Sequence, residues 1–230
     1  FAKKLGRTYE SLPVEIEDVR LHQATILSKE GPVKLAVTIF EGSGEFEVTQ
    51  GNSMIVTGRI KERSALPDSS PDVTRKISTG VDSKVQLSSD DVYKELKLRG
   101  YEYSGMFQGV RSSDIDGSEG LLEWTGNWTT FMDTMLQFDI IGKRTRELFL
   151  PTRFTKIIID PLKHLELAFR NQHFPVSSNK HLSLIKSGGV EIRNLKTSHA
   201  RRRVAQQKPK YEEHVFVPYI NSTTMTRENA

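Results

Sequence analysis

Asn127-Trp128-Thr129-Thr130-Phe131-Met132-Asp133-Thr134-Met135-Leu136-Gln137-Phe138-Asp139-Ile140-Ile141 is the stretch around which the rest of the chain is organised. Trp128, Phe131, Met132, Met135 and Leu136 recur at i, i+3, i+4 and i+7, the spacing of one helix face. Met135, Phe138 and Ile141 continue it. Asn127 reads as the N-cap, and Gly142, followed by Lys143 and Arg144, as the stop. A helix that is apolar on almost every side is buried. Asp133 nevertheless stands in its middle, and Gln137, one turn on, projects from the same face. A carboxylate on a buried helix is costly unless paired, and its pKa rises. That is the environment a general acid requires. The alternative is an Asp133 at the margin of the buried face, capping a neighbouring backbone. Asp139 points elsewhere on the helix and reads as a solvated or capping charge.

The chain has 230 residues, enough for one large domain or two small ones. It has no cysteine, which excludes a disulfide scaffold, a thiol nucleophile and the usual zinc fingers. No apolar run approaches the roughly 18 residues of a membrane span, and no signal peptide opens the chain; a cytoplasmic setting is expected. The first residue is Phe1, in what reads as the tail of a helix stopped at Gly6, so the chain is expected to be a piece of something longer. The net charge of +4 is mild. Much of it lies in His199-Ala200-Arg201-Arg202-Arg203 and around Lys208 and Lys210. Without interleaved aromatics, that cluster reads as a solvated linker rather than a nucleic-acid surface.

Taken in order, Leu12 to Leu27 reads as one long bent strand or two short ones. Val33 to Phe40, Gly44 to Thr49 and Met54 to Ile60 follow as strands separated by turn residues, an antiparallel meander. Pro67-Asp68-Ser69-Ser70-Pro71-Asp72 has no periodicity and reads as a linker. Ser88-Ser89-Asp90-Asp91 caps a short helix over Val92 to Arg99, ended by Gly100. A glycine-punctuated aromatic loop runs to Gly109. Strands are expected around Val110 to Ile115 and through Leu121 to Trp124, then the central helix. Beyond it they are expected over Leu148 to Ile159, Leu165 to Arg170, Leu182 to Lys186 and Val190 to Leu195. The domain division is 1–65, a linker 66–87, 88–198, and a basic linker with the start of a next unit over 199–230.

The chain also echoes itself. Leu12-Pro13-Val14-Glu15-Ile16 and Leu150-Pro151-Thr152-Arg153-Phe154 each open a strand with Leu-Pro and lead a four-strand meander. The second is preceded by a helix and the first by a helix stub. A duplicated helix-plus-sheet unit, truncated at its N-terminus, accounts for both; chance similarity of two meanders is the other reading. An antiparallel sheet wrapped on a long helix is a hotdog. The fold class expected is therefore α+β, a double hotdog with its first unit incomplete.

Several blocks resemble the dehydratase region of animal-type fatty acid synthase. They are Glu17-Asp18-Val19-Arg20-Leu21-His22-Gln23-Ala24-Thr25-Ile26-Leu27, Val92-Tyr93-Lys94-Glu95-Leu96-Lys97-Leu98-Arg99-Gly100-Tyr101, Phe131-Met132-Asp133-Thr134-Met135-Leu136-Gln137 and Leu150-Pro151-Thr152-Arg153. They fall in the family order over about residues 5 to 200. The resemblance implies a double hotdog that removes water from a 3-hydroxyacyl chain to give a trans-2-enoyl chain. It implies a histidine in an H-x-x-x-G-x-x-x-x-P motif that takes the C2 proton, and an aspartate in a D-x-x-x-Q or D-x-x-x-H motif that protonates the departing hydroxyl. Asp133 and Gln137 match the second motif and are the expected catalytic pair. None of the six histidines has glycine four residues later, so the first motif is absent and half of the site is expected here. His22, the nearest available histidine, reads as a packed or rim residue on a strand. The family usually has Gly-Pro-His-Phe-Gln-Gly where this chain has Ser104-Gly105-Met106-Phe107-Gln108-Gly109. Loss of the proline frees the backbone there.

The resemblance further implies no metal and no cofactor in this region, the substrate riding on the phosphopantetheine of acyl carrier protein. The partners it implies are that carrier and neighbouring synthase domains, in a homodimeric parent, with no nucleic acid and no membrane. Two other readings remain: a structural double hotdog whose site has decayed, and a hotdog thioesterase that would release free acid.

Overall fold

The computed structural model describes residues 1–26, 31–63 and 85–200, together with 213 and 215. Its twelve strands form one antiparallel sheet. In chain order, β1 (Val14–Leu21), β2 (Ala36–Ile39), β3 (Glu45–Gln50) and β4 (Ser53–Glu62) come first. Next are β5 (Gln86–Ser88), helix α1 (Ser89–Leu98), β6 (Val110–Asp114), β7 (Glu119–Glu123) and helix α2 (Trp128–Ile141). Then come β8 (Leu148–Ile159), helix α3 (Pro161–Arg170), β9 (His173–Asn179), β10 (Leu184–Ser187), β11 (Val190–Arg193) and β12 (Lys196–Ala200). The order across the sheet is β2-β3-β4-β1-β8-β11-β10-β9-β7-β6-β5, with β12 also on β8.

Read outward from the β1–β8 seam, the first four strands on each side follow the same order, and the β8 side then continues through β7, β6 and β5. Each side begins with one strand; the next three form consecutive hairpins, and the last of them returns to pair with the first. The offset that carries Leu12-Pro13 onto Leu150-Pro151 also carries Ile16 onto Phe154 and Val19 onto Ile157. Those four residues make the two seam pairs Ile16↔Ile157 and Val19↔Phe154. The echo in the sequence thus has a register to match it. Leu150-Pro151 lies inside β8 rather than at its start, whereas Leu12-Pro13 immediately precedes β1.

Helix α2 forms because its ends are satisfied and its sides are buried. Asn127 accepts from Thr129 N–H at 2.9 Å and Thr130 N–H at 3.2 Å, using two orphan donors of the first turn. At the other end Arg99 donates to the carbonyls of Ile140 and Ile141, and Lys180 Nζ donates to Gly142 O at 2.8 Å. Cations at a helix C-terminus complement its dipole as well as its orphan carbonyls. Phe131, Met135, Phe138, Ile140 and Ile141 pack with Val110, Leu122, Phe174, Val176, Ile185 and Ile192 in the core. Helix α1 carries the capping box expected at Ser88 and Asp91. It buries Val92 and Leu96 beside α2.

Four sequence expectations need correction. Leu165 to Arg170 is helix, not strand: Leu165, Leu167 and Phe169 alternate in sequence, but Asp160 caps Lys163 N–H at 3.0 Å and Pro161 sits at the first helical turn. Of the one long or two short strands expected over Leu12 to Leu27, β1 ends at Leu21, no second strand follows over 22–26, His22 stands just past the end of β1, and Leu27 lies outside the described residues. Gln86 and Leu87, at the close of the expected linker, belong to β5; 64–84 lies outside the described residues. His199 and Ala200, expected as linker, pair with β8 as part of β12, while Arg201 to Arg203, Lys208 and Lys210 lie outside the described residues. Strand β9 was not foreseen at all.

Candidate active site

The structure brings Asp133 and Gln137 together on α2, as their spacing requires. Gln137 Nε2 donates to Asp133 Oδ2 at 3.0 Å and to Phe107 O at 2.8 Å. Gln137 is 0% exposed and Asp133 half-buried. Burial pushes the Asp133 carboxyl above the usual carboxylate range, against the opposing pull of the Gln137 donation. Asp133 is not a backbone cap.

The rest of the wall comes from α1 and the aromatic loop. Tyr93 Oη donates to Gln137 Oε1 at 3.0 Å and accepts from Val110 N–H at 2.8 Å. Tyr103 stacks on Tyr101 with ring centroids 5.8 Å apart and meets Tyr93 edge-on at 6.4 Å. Burial pushes the phenols of Tyr93 and Tyr103 well up, and the Asp133 charge adds to both. Both therefore remain O–H donors through the physiological range. Gly105 has φ +57, a conformation closed to proline, so the loop follows a path that the family's Gly-Pro sequence does not. The 3₁₀ turn Gly105–Phe107 that results aims Phe107 O at Gln137. Gly109 passes close to α2: a Cβ there would lie 2.8 Å from Thr134 Oγ1.

The other expected residues lie apart. His22 is exposed, and its Nε2 is 2.8 Å from Thr57 Oγ1 on β4. Asp139 is neither free in solvent nor a cap but pairs with Lys143 at 2.8 Å. His164, which sequence reasoning passed over, is 0% exposed on α3. Its ring stacks on Phe174 at 4.7 Å and touches Trp124, Trp128 and Phe131 at 4.4 to 4.7 Å. This apolar cage pushes its pKa down to about 4 and leaves Nε2 without a partner. A sealed, neutral imidazole of this kind is a core group, not a base for a substrate at Asp133. Tyr93 was also missed; it stood in a block that resembled the family, but nothing in its spacing linked it to Gln137. Among the described residues, no group of three or more His, Cys, Asp or Glu side chains is placed to hold a metal ion.

The arrangement is therefore a carboxyl that burial makes easier to protonate than a free aspartate, held through Oδ2 from one side. Such a group can deliver a proton to a leaving oxygen.

No protein-family profile matches the chain. Solved structures do. The dehydratase domain from the CurF module of curacin polyketide synthase superposes with TM-score 0.59 at 14% identity, covering 87% of this chain and 80% of that one. The fold is shared with polyketide synthase dehydratases. The dehydratase domain of PpsC from Mycobacterium tuberculosis, in complex with C12:1-CoA, matches with TM-score 0.57 at 15% identity, covering 86% of this chain and 80% of that one. An inactive Asp-to-Asn mutant of the CurK dehydratase of curacin polyketide synthase matches with TM-score 0.57 at 17% identity, covering 87% of this chain and 80% of that one. At such identities the likeness is one of fold: an antiparallel hotdog-type sheet with few helices.

Proposed function

We propose that this chain supplies the acid half of a dehydratase site in a multidomain fatty acid or polyketide synthase. The observation that carries the reading is Asp133, its carboxyl pushed up by burial and gripped by Gln137 one turn on. In the proposed reaction a base removes the C2 proton of a 3-hydroxyacyl thioester. The C2–C3 double bond forms as the C3–O bond breaks, and the Asp133 proton goes to the departing hydroxyl, giving water and a trans-2-enoyl thioester. A neutral base and a protonated acid on opposite sides suit that chemistry. The thioester is carried on the phosphopantetheine of acyl carrier protein, and the reaction needs no metal or redox cofactor in this region.

In this reading the base is the histidine of the H-x-x-x-G-x-x-x-x-P motif, which none of this chain's histidines matches. His22 and His164 are held by Thr57 and by the aromatic cage, and neither bonds to Asp133. The mirror order about the β1–β8 seam supports a double hotdog in which a helix on the β1–β4 side contributes the histidine. A cytoplasmic, homodimeric parent belongs to the same proposal. The matched CurK mutant, inactive with an Asp-to-Asn change, is consistent with a carboxyl being essential in this fold.

The test is enoyl-thioester formation from a 3-hydroxyacyl pantetheine substrate by the synthase polypeptide that contains this chain. Asp133→Asn should lower the rate by about 10²–10⁴-fold, the usual worth of a positioned acid. The isolated chain should be inactive. Unchanged turnover in the Asn variant would remove Asp133 from the reaction, and release of free acid would point to a thioesterase.

A further inference from the structure

The amide of Gln137 is completely satisfied, and only one of its two orientations allows this. Both N–H bonds of Nε2 are engaged, on Phe107 O and on Asp133 Oδ2, while Oε1 receives the Tyr93 hydroxyl. Inverted, the amide would set its oxygen against the Phe107 carbonyl and its nitrogen against Tyr93 Oη. The phenol already accepts from Val110 N–H and would lose the acceptor for its own proton. Phe107 O, 3.5 Å from Tyr93 Oη, is too far to replace it well. Gln137 is 0% exposed, so bulk water is not at hand to mend either mismatch.

We propose that Tyr93 is a positioning residue for Asp133. Held by the Val110 N–H, its hydroxyl fixes the Gln137 amide so that Nε2 grips Asp133 Oδ2 and Oδ1 is left to carry the transferable proton. The inference rests on the reading of Asp133 as a dehydratase acid. The order runs from a backbone donor on β6 through a phenol on α1 and an amide on α2 to the carboxyl. Helix α1 is itself tied to the far end of α2 by Arg99, which donates to Ile140 and Ile141 carbonyls and pairs with Glu95 at 3.0 Å. The Tyr93 hydroxyl is therefore delivered to Gln137 by a helix fixed at two points. The ionisable groups around the acid are Tyr93 on α1 and Tyr103 on the aromatic loop. The Arg111–Glu123 pair joins β6 and β7 nearer to Tyr93.

The experiment is a carbon-13 NMR titration of the Asp133 carboxyl in the full chain, in wild type, Tyr93→Phe, Gln137→Ala and the double variant. Tyr93→Phe keeps the ring and removes one oxygen. A freed Gln137 amide donates less to the carboxylate, so the Asp133 midpoint should move upward. In the Gln137→Ala background the same change should add nothing, because the two residues act through one bond chain. An unmoved midpoint in folded Tyr93→Phe, or an equal shift in both backgrounds, would overturn the proposal. Should Tyr93→Phe not fold, the wild-type Gln137 side-chain amide decides. Slow solvent exchange of both Nε2 protons supports a fixed amide, and exchange as fast as that of an exposed glutamine refutes it. None of these readouts depends on turnover. Failure of Asp133→Asn to slow dehydration would sink the functional reading while the titration still judged the hydrogen-bond chain.

Discussion

The two four-strand units that meet at the β1–β8 seam share a strand order but not a lining. Behind β8 to β11 lies α2, with Phe131, Met135 and Phe138 filling the face of the sheet, and α3 closes one end. On the β1 to β4 side the cross-strand row Val37–Val48–Val56 is only partly covered, and Val37 is 63% exposed. Hydrogen bonding alone specifies the same ladder in both. The difference is in what the inner side chains touch, and most of the burial that stabilises a sheet comes from there. The chemistry follows the same division: Asp133 has a raised pKa because it is on the helix that makes the second unit dry.

The largest expected effect puts that contrast to a direct test. Phe138 is 0% exposed, and truncating a buried phenylalanine typically costs about 3–5 kcal/mol. Phe138→Ala should therefore lower the unfolding free energy by about that amount in a denaturant melt. Val37→Ala, on the bare side, should change it by about 0.5 kcal/mol or less, as surface changes do. Similar losses at both positions would mean that the first unit's face is covered in solution.

Next in size is the acid sensitivity of the second unit's core between pH 6.5 and about 4. His164 has a pKa pushed down from 6.5 to about 4 by its aromatic cage. The unfolded chain takes up a proton that the folded chain refuses. The stability from the neutral ring is complete above pH 6.5 and is lost as pH falls toward about 4. A displacement of that size is worth about 3 kcal/mol. His164→Phe preserves the packed ring, and its unfolding free energy should be flatter over that interval than the wild type's. Parallel curves for the two proteins would show that His164 is not the responsible group.

Much of this arrangement was legible before any coordinates, and the exceptions have identifiable causes. Helix α2 could be read because its period is long and its ends carry Asn127 and Gly142. Asp133 and Gln137 could be paired because four residues is one helical turn. Helix α3 could not: Leu165, Leu167 and Phe169 have the period of a strand, and Phe169 is exposed rather than core. Strand β9 was hidden by Pro175 in its middle, which lacks the N–H that a central strand normally donates. The Tyr93–Gln137 bond joins residues on different helices, and no local periodicity reports such a contact. The partial cover of the first unit's face was equally invisible, since alternation in Val33 to Phe40 declares a face without saying what covers it.

A smaller effect distinguishes the equivalent hairpin turns of the two units. Between β3 and β4, Gly51 has φ +58 and open space where a Cβ would stand. Between β10 and β11, a Cβ on Gly189 would lie 2.1 Å from Asp160 O, under α3. Gly51→Asn should be nearly neutral, because asparagine tolerates the left-handed region. Gly189→Ala should cost about 1–3 kcal/mol by overpacking. Thermal melts of the two variants compare them directly, and equal costs would deny α3 its role in closing the second unit.

The smallest expected effect has the opposite pH sign to that of His164. The folded chain holds the Asp133 proton more tightly than the unfolded chain, because burial opposes the charged form. The stability this gives is fully present below the ordinary aspartate value of 3.8 and is lost as pH rises through the raised folded value. Asp133→Asn has no proton to lose. Its amide oxygen still accepts from Gln137 Nε2, so the hydrogen-bond chain from Val110 through Tyr93 is kept. Relative to the wild type, the variant should gain stability as pH rises from about 4 toward neutrality. The gain should be on the order of one hydrogen bond, about 1 kcal/mol. Unfolding free energies of both proteins across that range provide the check. A variant that loses ground with rising pH would mean that the folded structure favours the carboxylate. Asp133 would then be poorly suited to give up a proton, and the contrast between the dry and the bare unit would no longer explain where the acid sits.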